Sequence, residues 1–74
     1  MFLERIVFQV EGMNGKQDSS KVKEELKRLE FVKKVKVDLE NQEVSVFYKK
    51  LEEVSIDSIK AGIEKLGFVF KGVL

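Results

Sequence analysis

The sequence predicts an α+β fold in which a four-stranded antiparallel sheet carries two helices on one of its faces. The chain has 74 residues, which is enough for one two-layer core and too few for a second domain. Apolar residues alternate with strand period in some segments and recur with helical period in others. The order of these segments is strand, helix, strand, strand, helix, strand, and this order predicts a split βαβ unit.

The first strand is predicted over residues 3–10, where alternate residues are apolar. The face turned toward the helices would carry Ile6, Phe8 and Val10. A polar loop over residues 12–20 separates this strand from a helix with apolar residues at helical spacing: Val22, Leu26 and Leu29. Ser19 and Ser20 are residue types that favour the N-cap position. These two serines are therefore predicted to cap the first helix.

The next two strands are predicted to form a β-hairpin. Residues 32–37 and 44–48 both alternate with strand period. Residues 38–42 lie between them and are mostly polar, which suits a turn. The hairpin would place these strands side by side in the sheet.

The second helix is predicted over residues 56–66, after Ser55 and before Gly67. Gly62 lies inside this helix, at a cost of about 1 kcal/mol relative to alanine, and predicts a close contact between the helix and the sheet. Residues 68–70 are then predicted to form a short strand before a frayed tail. The complete βαββαβ order is that of a ferredoxin-like sandwich, here as a single domain over residues 1–74.

Composition excludes several classes of function. Fourteen Lys and Arg residues against thirteen Asp and Glu residues leave a net charge of +1, so no overall field would attract nucleic acid or an anionic membrane. The chain has no cysteine and no histidine, which removes disulfides, thiol or imidazole catalysis and soft-metal ligands. No segment is apolar enough for membrane insertion or a secretory signal. A cytoplasmic protein without a cofactor is expected.

Three segments carry a resemblance to a known family. They are Val-Glu-Gly-Met at residues 10–13, Val-Ser-Val at residues 44–46 and Ile-Glu-Lys-Leu-Gly-Phe at residues 63–68. Their spacing resembles that of the heavy-metal-associated domain, the module of copper chaperones and of the N-termini of metal-pumping P-type ATPases. The resemblance covers nearly the whole chain. It implies the ferredoxin-like fold and an aromatic side chain, here Phe68, packed near the metal loop.

The departures from this family lie in the metal loop. The family loop reads Gly-Met-Thr-Cys-x-x-Cys, and its two thiolates hold Cu(I), Zn(II) or similar ions. In this chain the loop keeps Met13 but has Asn14 in place of threonine, and Gly15 and Asp18 stand where the cysteines belong. A glycine and one carboxylate do not replace two sulfur ligands. The loop is therefore interpreted as degenerate, and no metal is expected there.

An alternative remains open at this point, namely that the chain handles copper or zinc through weaker ligands that are not thiolates. The thioether of Met13 is one candidate ligand, although in the family this methionine is a packing residue. The oxygens of Glu11, Asn14 and Asp18 are candidates for a hard cation, but they are fewer than Ca²⁺ prefers. Lys16 adds a positive charge to the same loop.

The sheet face without helices is the candidate surface for a partner. Val7, Phe47 and Val69 are predicted to lie near one another on this open face, as an apolar patch for a protein partner or for homodimerisation. RNA-recognition modules share the βαββαβ order, but Phe47 is the only aromatic residue predicted to be exposed there, and no RNP motif is present. Acylphosphatase also shares the topology, yet residues 11–18 lack the arginine that its anion loop needs. We expect an interaction or regulatory module and no enzyme.

Overall fold

The computed structural model describes residues 3–74 and has the predicted order of elements. The strands and helices are β1 (Leu3–Glu11), α1 (Gly15–Lys27), β2 (Lys34–Asp38), β3 (Glu43–Lys49), α2 (Ile56–Lys65) and β4 (Val69–Val73). The four strands form one antiparallel sheet in the order β2-β3-β1-β4. The predicted ferredoxin-like fold class is confirmed.

The core lies between the sheet and the two helices. Its fully buried side chains come from β1, β3 and both helices and include Phe8, Val10, Val22, Leu26, Val44, Val46, Ile59 and Ile63. The ring of Phe8 lies 5.4 Å from the ring of Phe70, measured between centroids, so the edge strand β4 also packs into this core. Among residues 3–74 no polar or charged side chain is buried.

The first helix begins earlier than predicted. The structure starts α1 at Gly15 and places Asn14 at the N-cap, so Ser19 and Ser20 lie inside the helix and do not cap it. The carboxylate of Asp18 accepts a hydrogen bond from the backbone N–H of Asn14 at 2.7 Å, and this bond closes the first turn from within. The prediction was wrong because Gly15 adopts a φ of +70°, which turns the chain directly into the helix.

The second helix begins as predicted, but Gly62 contacts a different element. Ser55 caps α2 by accepting a hydrogen bond from the N–H of Ser58 at 3.1 Å. A Cβ at position 62 would lie 3.4 Å from Glu25 Cγ and 3.4 Å from Leu26 Cδ2. Gly62 therefore allows a close approach between α2 and α1, and the predicted contact with the sheet was wrong.

The end of the chain is ordered by the sheet. The strand β4 runs to Val73, and the N–H of Leu74 donates to the carbonyl of Val7 at 2.8 Å. The pairing shifts between Gln9 and Val10, which is a β-bulge or a similar irregularity. The predicted frayed tail was wrong, because these backbone groups find partners on β1.

Candidate functional site

The loop between β1 and α1 corresponds to the degenerate metal loop predicted from the sequence. It turns through Gly12, whose φ is +102°, and a Cβ on this residue would lie 3.5 Å from Cδ1 of Phe68. Phe68 therefore packs against the loop, as the resemblance implied. Met13 is only 3% exposed and belongs to the hydrophobic core. The loop is thus anchored to the core by its methionine and covered by an aromatic ring.

The side chain of Gln42 fastens this loop to the hairpin turn between β2 and β3. Its Oε1 accepts from the N–H of Met13 at 3.1 Å, and its Nε2 donates to the carbonyl of Met13 at 3.0 Å. The same Nε2 donates to the carbonyl of Leu39 at 2.8 Å, and the carbonyl of Gln42 accepts from the N–H of Val10 at 2.9 Å. One amide side chain therefore pairs with both backbone polar groups of Met13.

Sequence reasoning assigned Gln42 only to a polar turn and missed this role. Gln42 has a φ of +56° and is the only residue other than glycine with positive φ among residues 3–74. That backbone conformation costs energy for a residue with a Cβ and aims the side chain across the turn. Hydrophobic periodicity carries no signal for such a contact, because the partners are 29 residues apart in the chain.

The positions of the family's two thiolates hold no soft ligand in this structure. Gly15 has no side chain, and the carboxylate of Asp18 is hydrogen-bonded to Asn14. Asn14 and Lys16 are exposed. In the described part of the chain, no group of three or more His, Cys, Asp or Glu residues is placed to hold a metal ion. The donor set does not fit Cu(I), which prefers sulfur ligands, or Zn(II), whose sites use three or four grouped Cys, His, Asp or Glu ligands.

The register of the sheet places Phe47 in the basic part of the open face. Phe47 lies between Lys34 of β2 and Arg5 of β1, and it is half-buried. The ammonium nitrogens of Lys34 and Lys36 lie 5.8 Å and 5.9 Å from the centroid of its ring. Both distances allow a cation–π interaction. The ring of Phe47 therefore has two lysine ammonium groups near it and is not free of neighbours in the way that a ring for base stacking would be.

The structure brings two of the three predicted patch residues together. Val7 pairs with Ser45, two positions along β3 from Phe47, so Val7 and Phe47 are diagonal neighbours on the open face. Val69 pairs with Glu11, four positions along β1 from Val7, and lies at the other end of the face. The bulge brings Leu74 opposite Val7 instead. Leu74 was missed because its position depends on a register shift that the sequence does not signal.

Most charges on the open face are separated by sign. The register places Arg5, Lys34 and Lys49 at one end, with Lys36 nearer the middle, and it places Glu11, Asp38 and Glu43 at the other end. The exception is Lys71 of β4, which lies at the bulge, level with the acidic end. Asp38 and Glu43 are directly opposite each other. Hydrogen bonds from the side chain and backbone N–H of Asn41 lower the pKa of Asp38 below its ordinary value. That carboxylate is therefore ionised at neutral pH.

A shallow groove lies on the opposite side of the molecule, between the two helices. Its volume is about 270 Å³, and its lining comprises Glu25, Leu26, Leu29, Ser58, Ala61, Gly62 and Lys65. The carboxylate of Glu25 lies 3.7 Å from Arg28 and 3.7 Å from Lys65. Glu25, the only acidic residue of this lining, therefore has a cationic partner on each helix.

Comparison with known proteins agrees with this geometry. The family model of the heavy-metal-associated domain matches residues 7–68. The chain belongs to the heavy-metal-associated domain family. No sequence among the curated proteins matches the chain. Within residues 3–74, neither helix of this family member is both long enough and apolar enough to cross a membrane.

Solved structures of metal-handling proteins share the fold of this heavy-metal-associated domain. The CopZ metallochaperone is 31% identical with a TM-score of 0.83, over 90% of this chain and 98% of its own. The yeast copper transporter domain Ccc2a, solved in apo and Cu(I)-loaded states, is 31% identical with a TM-score of 0.83, over 95% of this chain and 93% of its own.

A further similar structure is the water-soluble region of the P-type ATPase CopA from Bacillus subtilis. It is 30% identical with a TM-score of 0.79, over 93% of this chain and 45% of its own. Heavy-metal-associated domains and metallochaperones of this kind are in general not enzymes. The chain shares the fold of these three structures, but its loop has neither of the family's cysteines.

Proposed function

We propose that this heavy-metal-associated domain acts as a small protein-interaction or regulatory module and does not use the family's thiolate metal site. The observation that carries the proposal is the state of the two ligand positions. Gly15 supplies no donor atom, and Asp18 is committed to the N–H of Asn14 at 2.7 Å. A soft ion at these two positions would meet backbone groups and one carboxylate, which bind it poorly.

The internal hydrogen bonds of the loop support this proposal. Gln42 pairs with the N–H and carbonyl of Met13 at 3.1 Å and 3.0 Å, so the loop is held in place without a metal. The sulfur of Met13 would have to leave the core to reach an ion, since the residue is 3% exposed. Loss of that burial costs roughly 1.5–3 kcal/mol, and this cost opposes metal contact by Met13.

The open sheet face supports the interaction half of the proposal. Both helices pack on the opposite side of the sheet, so this face carries side chains that no other element of residues 3–74 covers. Val7 and Phe47 provide apolar surface there, and the flanking charges provide specificity. We expect the chain to act by contact in the cytoplasm, and we expect no catalysis, because it has neither cysteine nor histidine.

Site-specific photocrosslinking in the native host tests the interaction. A photoreactive phenylalanine analogue replaces Phe47 on the open face in one variant and Lys60 on the exposed surface of α2 in a matched control. We expect specific adducts from position 47, to a protein or to a second copy of the chain, and none from position 60. A folded variant that forms no adduct at position 47 would contradict the proposed function.

A further inference from the structure

We infer that the open sheet face docks a second copy of this chain, in a two-fold arrangement that sets the basic end of each face against the acidic end of the other. This inference rests on the proposed function, because it takes the open face to be the contact surface. It names the occupant of that face and the symmetry of the contact.

Positive and negative residues lie mostly at opposite ends of the open face. At one level of the sheet Lys34 and Arg5 flank Phe47, and at another Asp38 lies opposite Glu43. Like charges directly opposite each other destabilise a sheet. Lys36 lies two positions from Asp38 along β2, and Lys71 lies at the bulge beside Gln9. Among residues 3–74, however, none of the charged residues Arg5, Lys34, Glu11, Asp38 and Glu43 forms an ion pair within the face, so direct ion pairs neutralise neither end.

The direction of the two-fold axis decides which charges meet in a dimer. Copies of one chain associate most often through a two-fold axis, so each copy contributes the same surface. An axis parallel to the strands would set basic end on basic end. An axis across the strands and within the interface sets basic end on acidic end at both sides of the contact. Only this second, antiparallel arrangement satisfies both charged clusters with a single kind of partner.

The middle of the face provides the apolar part of the contact. Val7 lies there beside Phe47, and the register brings Leu74, which is 67% exposed, opposite Val7. An antiparallel copy would bring its own Val7 region over this one, at the distance of about 10 Å that separates packed sheets. The lysine stems that cover Phe47 would add apolar area while their ammonium groups reach the partner's carboxylates.

The size of the face indicates a weak, reversible dimer. Four strands spaced about 4.8 Å apart with a length of about 25 Å present roughly 450 Å² on each copy. A total of about 900 Å² lies at the low end for specific contacts. We therefore expect a dissociation constant between roughly 10 μM and 1 mM, and we expect it to rise at least several-fold between 50 mM and 500 mM salt because the contact is charged.

Charge reversal with purified protein tests the arrangement by sedimentation equilibrium. The basic-end variant carries Arg5→Glu and Lys34→Glu, and the acidic-end variant carries Glu11→Lys and Glu43→Lys. A control for the basic-end variant, Lys23→Glu with Lys60→Glu, makes the same two positive-to-negative changes at exposed helix positions. Far-UV circular dichroism checks the fold of each variant. Amide NMR spectra of the wild-type protein at increasing dilution give a second measurement that needs no variant.

The antiparallel dimer predicts a specific set of results. The wild-type protein and the control dimerise, each reversed variant alone remains monomeric at the same concentration, and an equimolar mixture of the two variants forms a heterodimer. On dilution, wild-type amide shifts change on the open face and stay constant on the helices.

Several results would overturn the inference. A wild-type protein that is monomeric at 1 mM would do so, as would reversed variants that dimerise as well as the control. If the photoreactive group at position 47 captures only other proteins, this inference fails while the proposed function stands. If it captures nothing, the proposed function fails as well.

Discussion

At the scale of single residues, Gln42 holds the degenerate loop in its conformation. Its side-chain amide makes hydrogen bonds of 3.1, 3.0 and 2.8 Å to backbone groups of Met13 and Leu39. These groups are partly buried, so water does not fully replace the lost partner when the amide is removed. A residue that the sequence presents as an ordinary turn residue thus stabilises the loop.

We predict that Gln42→Ala lowers the free energy of unfolding by about 2 kcal/mol, because three hydrogen bonds are lost and backbone groups of Met13 remain unpaired. Urea unfolding measures the change. Gln17→Ala, at an exposed position in α1, is the control and should change stability by less than about 0.5 kcal/mol. Equal effects of the two substitutions would show that the amide of Gln42 does not hold the loop.

Asn41 controls the ionisation of Asp38. The side-chain Nδ2 of Asn41 donates to Asp38 at 2.9 Å, and its backbone N–H donates at 3.1 Å. Because these bonds favour the carboxylate, the folded pKa of Asp38 lies below the ordinary value of 3.8. Their stabilising contribution is fully present above the pKa of the unfolded chain, and it is lost as the pH falls through the lowered pKa.

We predict that Asn41→Ala raises the pKa of Asp38 toward 3.8, because the hydrogen bond from the Asn41 side chain is the largest cause of the lowered pKa. Carboxyl carbon NMR across an acid titration measures this pKa. Asn14→Ala removes a distant asparagine and should leave the Asp38 titration unchanged. If the pKa of Asp38 does not rise in Asn41→Ala, the side chain of Asn41 is not the cause of the lowered pKa.

At the scale of elements, the close contact of α1 and α2 depends on Gly62. A Cβ at this position would lie 3.4 Å from side-chain atoms of Glu25 and Leu26. A methyl group fits at that distance with a small shift of the flexible Glu25 stem, whereas a larger side chain must push the helices apart.

We predict that Gly62→Leu lowers the free energy of unfolding by about 1–3 kcal/mol through overpacking. Gly62→Ala should be neutral or stabilising by less than about 1 kcal/mol, because it gains helix propensity. Thermal unfolding measures both, and Lys60→Leu at an exposed position of α2 is the control for a leucine on this helix. A Gly62→Leu variant as stable as the control would contradict the close helix contact.

The elements themselves could be predicted because they follow from local signals. Alternating Val44 and Val46 define a strand, and Ser55 defines the start of a helix, without any knowledge of the rest of the chain. The start of α1 and the end of β4 could not be predicted in the same way. They depend on the positive φ of Gly15 and on a register shift after Gln9, and hydrophobic periodicity encodes neither.

At the scale of the whole molecule, a fold that holds soft metals in related proteins persists here without their ligands. The absence of cysteine and histidine could be established from the sequence alone, and it predicts the chemistry that the loop lacks. What stabilises the loop instead could not be predicted. Met13 and Gln42 meet only after the hairpin has folded against β1, at a sequence separation of 29 residues.

Restoring the thiolates should restore metal binding to this scaffold. We predict that Gly15→Cys combined with Asp18→Cys gives a chain that retains one Cu(I) against a chromogenic chelator, because the two sulfurs would occupy the family's ligand positions. The φ of +70° at position 15 should reduce its stability by about 1–2 kcal/mol. Gly15→Ser with Asp18→Ser is the control, with similar strain and no sulfur.

The most direct test of the account is an amide NMR titration of the wild-type protein with Cu(I), and then with Zn(II), under reducing conditions. The double-cysteine variant is titrated in parallel to show that the metal is available. We predict that the wild-type spectrum stays folded and unchanged at stoichiometric metal, while the variant shifts at its loop. Wild-type shifts confined to residues 12–20 and Phe68 would show that a metal site survives without thiolates, and they would contradict the central claim.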